Sequence, residues 1–127
     1  MDGKKVKSFV DLDAWKEGHR LVIEIYTLTR EFPKEEVFGI VSQMRRCAVS
    51  ITSNIAEGFS RQSSKEKIQF YRVSLGSLTE LQNQLLIARD VGYLASSAFK
   101  KQADQTVKVQ KIINGLIKYL KNDIPTT

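Results

Sequence analysis

Apolar positions recur at helical spacing in four separate stretches of the chain, and each stretch is closed by residues that end helices. The first runs from about Leu12 to Arg30: Leu12, Trp15, His19, Val22 and Tyr26 follow a three-and-four spacing, with Leu21, Ile25 and Leu28 beside them. Asp11 suits its N-cap, and "EFPKEE" ends it, because Phe32 before Pro33 is pushed out of the helical region. A second stripe, Val37, Val41, Met44, Ala48, Ile51 and Ile55, predicts a helix from about Glu36 to Phe59. Its acidic start is Glu35–Glu36 and its C-cap glycine is Gly58. A third helix is predicted over about Lys65 to Val91, with Ser63 or Ser64 as N-cap. Its buried side is Ile68, Tyr71, Leu75, Leu78, Leu81, Leu85 and Ala88, and it stops at Gly92. Gly76 inside it weakens the helix and predicts a close approach by another helix. The fourth runs from about Ser96 to Leu120 on Val109, Ile112, Ile113, Leu116, Ile117 and Leu120. No stretch alternates like a strand. Four helices with short connections predict an all-α, up-down-up-down antiparallel four-helix bundle over residues 11–121. Residues 1–10 read as a flexible basic arm and 122–127 as a frayed tail.

Length and composition fit this picture. The 127 residues suit one domain, and 42% hydrophobic with 27% charged residues is ordinary for a globular protein. No apolar run reaches membrane-spanning length; the best, "LVIEIY", contains Glu24. "MDGKKVKSF" has lysines but no apolar stretch after them, so no signal peptide is expected and a cytoplasmic location is the default, with no membrane partner.

Charge changes the picture more. Net charge is +6. Residues 93–127 hold six lysines against Asp104 and Asp123, which is 6 − 2 = +4 of that total. At 100° per residue Lys100, Lys108, Lys111 and Lys118 fall within an arc of about 80°, opposite the apolar side. A lysine face is usually a solvated face. With Asp104 the sole acid close in sequence, it is also a candidate phosphate-contacting surface, to which Arg61 is added. No aromatic interleaves with these lysines, so base stacking there is not indicated.

Chemistry-bearing residues are sparse. Cys47 is the lone cysteine and reads as a small buried hydrophobe. His19 is the lone histidine and reads as a partly buried seam residue; no arginine precedes it at the spacing of an arginine–histidine nuclease pair. One cysteine and one histidine do not make a structural zinc site, and Glu17 with His19 lacks the Glu-x-x-His spacing of a di-iron bundle. "GFSRQSS" lacks the lysine of a phosphate-binding loop. The expectation is a protein with no catalytic residues, no metal and no cofactor.

The second helix carries an unusual polar strip. Gln43, Arg46, Ser50, Ser53 and Glu57 lie along one face, flanked by Asn54. Serine and asparagine compete for backbone hydrogen bonds and are poor helix fillers. Their clustering predicts a buried or subunit-facing network, with ligand contact and a plain solvated face as the alternatives.

These pieces together resemble a family. "DLDAW" with His19, "IYTLTREFP", "SQMRR", "SNIAEG" with Arg61, and "SLGSLTEL" occur in the order and spacing of small bacterial four-helix-bundle proteins. That family is named for copies encoded in intervening sequences within bacterial 23S ribosomal RNA genes. The resemblance covers roughly residues 9–94; the chain departs from it at Thr52, where many members carry proline. It implies a bundle assembled as a homopentamer, and kinship with the basic accessory proteins of diversity-generating retroelements, which work with a reverse transcriptase and nucleic acid. It implies no enzyme. By position, the family-like polar residues are Gln43, Arg45, Arg46, Ser50, Asn54, Glu57 and Arg61, with a role in architecture. The functional expectation is therefore a non-enzymatic oligomeric protein that binds RNA, DNA or a nucleic-acid-processing protein. The alternative is a protein–protein adaptor with no direct nucleic-acid contact.

Overall fold

The structure, a computed structural model, describes residues 5–123. Four helices account for most of it: α1 (Asp13–Thr29), α2 (Ile40–Phe59), α3 (Ser64–Asp90) and α4 (Ser96–Lys121). Among the described residues there is no strand. Single 3-10 turns at Phe9–Asp11 and Lys34–Glu36 precede α1 and α2.

Each helix packs on the next, and α4 closes against α1. The side-chain bonds between neighbours run in opposite residue order, which makes every adjacent pair antiparallel. Arg45 reaches Thr29 near the end of α1, while Thr52 faces Gly18. Ser50 meets Ser77, and Cys47 meets Glu80. Gln82 meets Thr106 and Gln110, while Arg89 lies over the Phe99 ring. Lys101 meets Glu24, and Lys108 meets Glu17. The core between them holds Leu21, Ile25, Met44, Ile51, Ile55, Leu78, Leu81, Leu85, Val109 and Ile113, all at or near zero exposure. These are the predicted stripes; burying each such side chain contributes about 1.5–3 kcal/mol.

The largest interface, α2 on α3, depends on small residues. A Cβ on Gly58 would stand 2.7 Å from Cε1 of Tyr71 and 3.0 Å from Cβ of Phe70. Gly58 is therefore a contact residue inside α2 rather than its C-cap, which is Ser60. Gly76 does the opposite of what was expected. It is exposed, and a Cβ there would meet nothing within 4 Å. Between α1 and α2 the close approach falls at Gly18, whose Cβ would lie 3.1 Å from Cγ2 of Thr52.

The ends show why boundaries shift. Ser63 caps α3, accepting from the Glu66 amide at 3.1 Å, and Gly92 closes it at φ +88°, a conformation suited to glycine. Asp11 does not cap α1. It closes a capping box with Ser8 around the Phe9–Asp11 turn, and α1 begins after Leu12 with no side-chain cap. This turn also corrects the flexible-arm reading for Ser8 to Val10, because Phe9 packs edge-on against Trp15 at 5.6 Å. Residues 1–4 of that arm, and 124–127 of the expected tail, lie outside the described residues. Helix two starts at Ile40, not Glu36. Pro33 initiates a 3-10 turn, and Gly39 adopts a backbone conformation that is neither helical nor extended. Val37 thereby leaves the core stripe and is exposed.

Candidate nucleic-acid and assembly surfaces

The lysines of α4 divide by position around the helix. Those on the α1 side are engaged. Lys101 Nζ lies 3.3 Å from Glu24, and Lys108 Nζ lies 3.5 Å from Glu17. Glu17 is a hub: Gln105 Nε2 donates to its carbonyl at 2.9 Å and to its carboxylate at 3.0 Å, and Arg20 stands 3.5 Å away. The Gln105 hydrogen bond, with Lys108 and Arg20 beside it, holds the Glu17 carboxyl below its ordinary range against the opposing pull of partial burial. On the outward line, Lys100 pairs with Asp104 at 3.0 Å. Lys111 and Lys118 are exposed and make no ion pair among the described residues. The expected scarcity of acids near the lysine face is thus corrected. Glu17 and Glu24, at the far end of the sequence, become neighbours when α4 closes the bundle. Such exposed pairs contribute little to stability, but they lower the field a phosphate would meet.

Arg61 does not join that face. It sits in the α2–α3 turn, with Nη2 3.0 Å from Glu57 and its guanidinium 4.6 Å over the Phe70 ring. Its Nε is buried without a hydrogen-bond partner. Lys67, in the first turn of α3, donates to the Phe59 carbonyl at 2.6 Å, and burial lowers its pKa.

The polar strip of α2 also divides. Its α3 side is a network within the bundle. Ser50 and Ser77 share a hydrogen bond of 2.8 Å. Asn54 Nδ2 donates to the Ser50 carbonyl at 2.8 Å and hydroxyl at 3.1 Å, and Ser74 donates to the Ile51 carbonyl at 2.8 Å. Gln43, Arg46, Ser53 and Glu57 face outward and are exposed, so the buried reading fails for them in the single chain. Arg45 has a third setting: its Nε donates to Thr29 Oγ1 at 3.0 Å and its guanidinium lies 4.6 Å over Tyr26. These differences carry a prediction. Asn54→Leu should lower stability by about 1 kcal/mol, the value of an ordinary hydrogen bond, whereas Ser53→Ala, at an exposed position of the same strip, should stay within about 0.5 kcal/mol of the parent. Thermal unfolding of both variants checks it; a large loss in Ser53→Ala alone would reverse the assignment.

Cys47 is buried as expected. Its thiol lies 3.6 Å from Glu80, and burial, then the Glu80 charge, pushes its pKa up, so it stays a protonated and weakly reactive thiol. His19 is corrected. It is exposed and stacked flat on Trp15, with ring centroids 4.5 Å apart.

Several residues escaped the sequence reading. Ser74 and Ser77 lie on the buried side of α3, and their spacing from Tyr71 and Leu78 would have shown it. Phe38 is 95% exposed at the mouth of a groove between α1 and α2, and nothing in its local sequence distinguishes it from a core aromatic.

Fold and surfaces together define a small helical-bundle protein with polar and basic outer faces. Its sequence matches the 23S rRNA-intervening sequence protein family over residues 10–115, most of the chain, and the protein belongs to that family. A crystal structure of a protein with unknown function from the S23 ribosomal protein family of Bacteroides thetaiotaomicron is similar in fold. Its TM-score is 0.77 at 20% identity, over 83% of this chain and 95% of that one. No curated protein matches the sequence. No described helix is long and apolar enough to cross a membrane.

Proposed function

We propose that the protein is a non-enzymatic, cytoplasmic homo-oligomer, a pentamer, that contacts the backbone of RNA or DNA through the outward lysines of α4. The observation that supports this best is the pair Lys111 and Lys118. They stand two helical turns apart on the solvent side of α4, with Asn114 between them, and neither is neutralised by an acid among the described residues. Two phosphate contacts per subunit are weak alone. Repetition around a ring adds them through multivalency. Lys100 and Lys108, held by Asp104 and Glu17, serve as a secondary border.

The test is a comparison of the parent with Lys111→Gln/Lys118→Gln. The double variant should reduce the salt dependence of binding, by about 0.9 in the slope of log K against log salt for each duplex phosphate that is no longer neutralised. It should weaken unrelated sequences alike, with fold and oligomer mass unchanged. An unaltered slope would remove these lysines from the interface.

A protein–protein adaptor is the second reading. The apolar groove beside Phe38 favours it, since a large exposed aromatic marks protein contact rather than phosphate binding.

A further inference from the structure

The mouth between α1 and α2 is an open groove of about 660 Å³ whose apolar wall includes Tyr26, Val41 and Val49. The charged residues lining it are Arg45 and Arg46, and no described acid lines it. Arg45 is committed to Thr29 and Tyr26. Arg46 is exposed and makes no ion pair among the described residues.

At the rim stands Phe38, with Val37 also exposed. The segment is not loosely held. Amides of Glu36, Val37 and Gly39 donate to the carbonyls of Pro33, Lys34 and Glu36 at 2.9–3.2 Å. The Glu36 carboxylate accepts from the Tyr93 hydroxyl at 2.7 Å. The backbone that carries the phenyl ring is therefore held, so docking has only the side-chain rotamer of Phe38 left to order. The acid left free beside the knob is Glu35, which is exposed and makes no ion pair among the described residues. The groove is basic and apolar. Val37 and Phe38 also line this groove, so a single patch carries both the exposed aromatic, with Glu35 beside it, and the unpaired Arg46, and is complementary to the same patch on a second copy.

We infer that Phe38 of one subunit docks in the Arg46-walled groove of a second copy of the chain. This rests on the assembly proposed for the protein and assigns that assembly a contact. The occupant is a second copy rather than an unrelated partner because the acidic, apolar knob that suits the groove is already present in the sequence. Docking would bury the ring and bring Glu35 toward Arg46, the groove charge that no described acid pairs.

The experiment uses the full chain. Light scattering after size exclusion, over a dilution series, should give the parent a mass that is a multiple of 14.4 kDa. Phe38→Ser should raise the subunit dissociation constant at least about tenfold, as removal of a buried aromatic anchor does. Its helix content and monomer unfolding should match the parent, since the ring it removes is already in water. A benzoylphenylalanine placed at position 38 and mixed with isotopically heavy chains should cross-link to heavy peptides containing Tyr26 or residues 41–50. A parent that is oligomeric while Phe38→Ser keeps the same mass at every dilution overturns this contact and leaves the proposed assembly standing. Cross-links that fall outside the groove do the same. A parent that is monomeric throughout overturns both.

Discussion

Gly58→Ala should destabilise the protein by about 1–3 kcal/mol, the usual cost of forcing an extra carbon into a filled interface, even though alanine is the better helix former. The added Cβ would stand 2.7 Å from the Tyr71 ring and 3.0 Å from Cβ of Phe70. The Tyr71 ring is buried, and a Cβ moves only with its backbone, so α2 and α3 must part. Gly76→Ala is the matched control. Its Cβ meets nothing, and it should stabilise by about 1 kcal/mol through helix propensity alone. Urea unfolding of the two variants should therefore move in opposite directions from the parent. If Gly58→Ala also gained stability, the close contact of α2 with α3 would be wrong.

Alkaline pH should weaken the fold through the same interface, at Tyr71. Burial pushes the Tyr71 phenol from 10.0 to about 12. Unfolded, it loses its proton near pH 10; folded, it keeps it. Above the unfolded value the unfolded state binds fewer protons, so stability falls as pH rises. The contribution is fully present below pH 10 and is lost as pH climbs toward 12. Each unit is about 1.4 kcal/mol, so the loss is roughly 2–3 kcal/mol. Tyr71→Phe should match the parent near neutrality and remove that part of the decline, whatever the lysines add. Chemical unfolding at pH 9, 10.5 and 11.5 (all set by the experimenter, about the window that linkage gives) measures it. An identical decline in both proteins would assign the effect elsewhere.

The helices were legible because their evidence is local. Stripes such as Met44, Ala48, Ile51 and Ile55 repeat at the helical period, and the packed core is built from them. Boundaries failed where turns compete with the period. Val37 continues the stripe arithmetically, yet Pro33 starts a 3-10 turn and Gly39 delays α2 to Ile40. The candidate surfaces were only half legible, because their partners are distant in sequence. No local pattern pairs Lys108 with Glu17 or Ser50 with Ser77; the closure of α4 on α1 and of α2 on α3 does. Gly58 reads in sequence as a cap and Gly76 as a point of close approach, and both readings fail because Gly58 faces α3 while Gly76 faces open space. Phe38 followed an apolar residue and carried no mark of exposure until the turn that displays it was in place.

Nucleic-acid binding by the native protein, followed by fluorescence anisotropy across a salt series, tests the central claim most directly. Unrelated RNA and DNA probes should bind at about 50 mM salt, with log K falling linearly as log salt rises, the signature of counterion release from phosphates. Absence of binding to either probe at that salt would contradict the nucleic-acid reading and leave the protein–protein adaptor in its place.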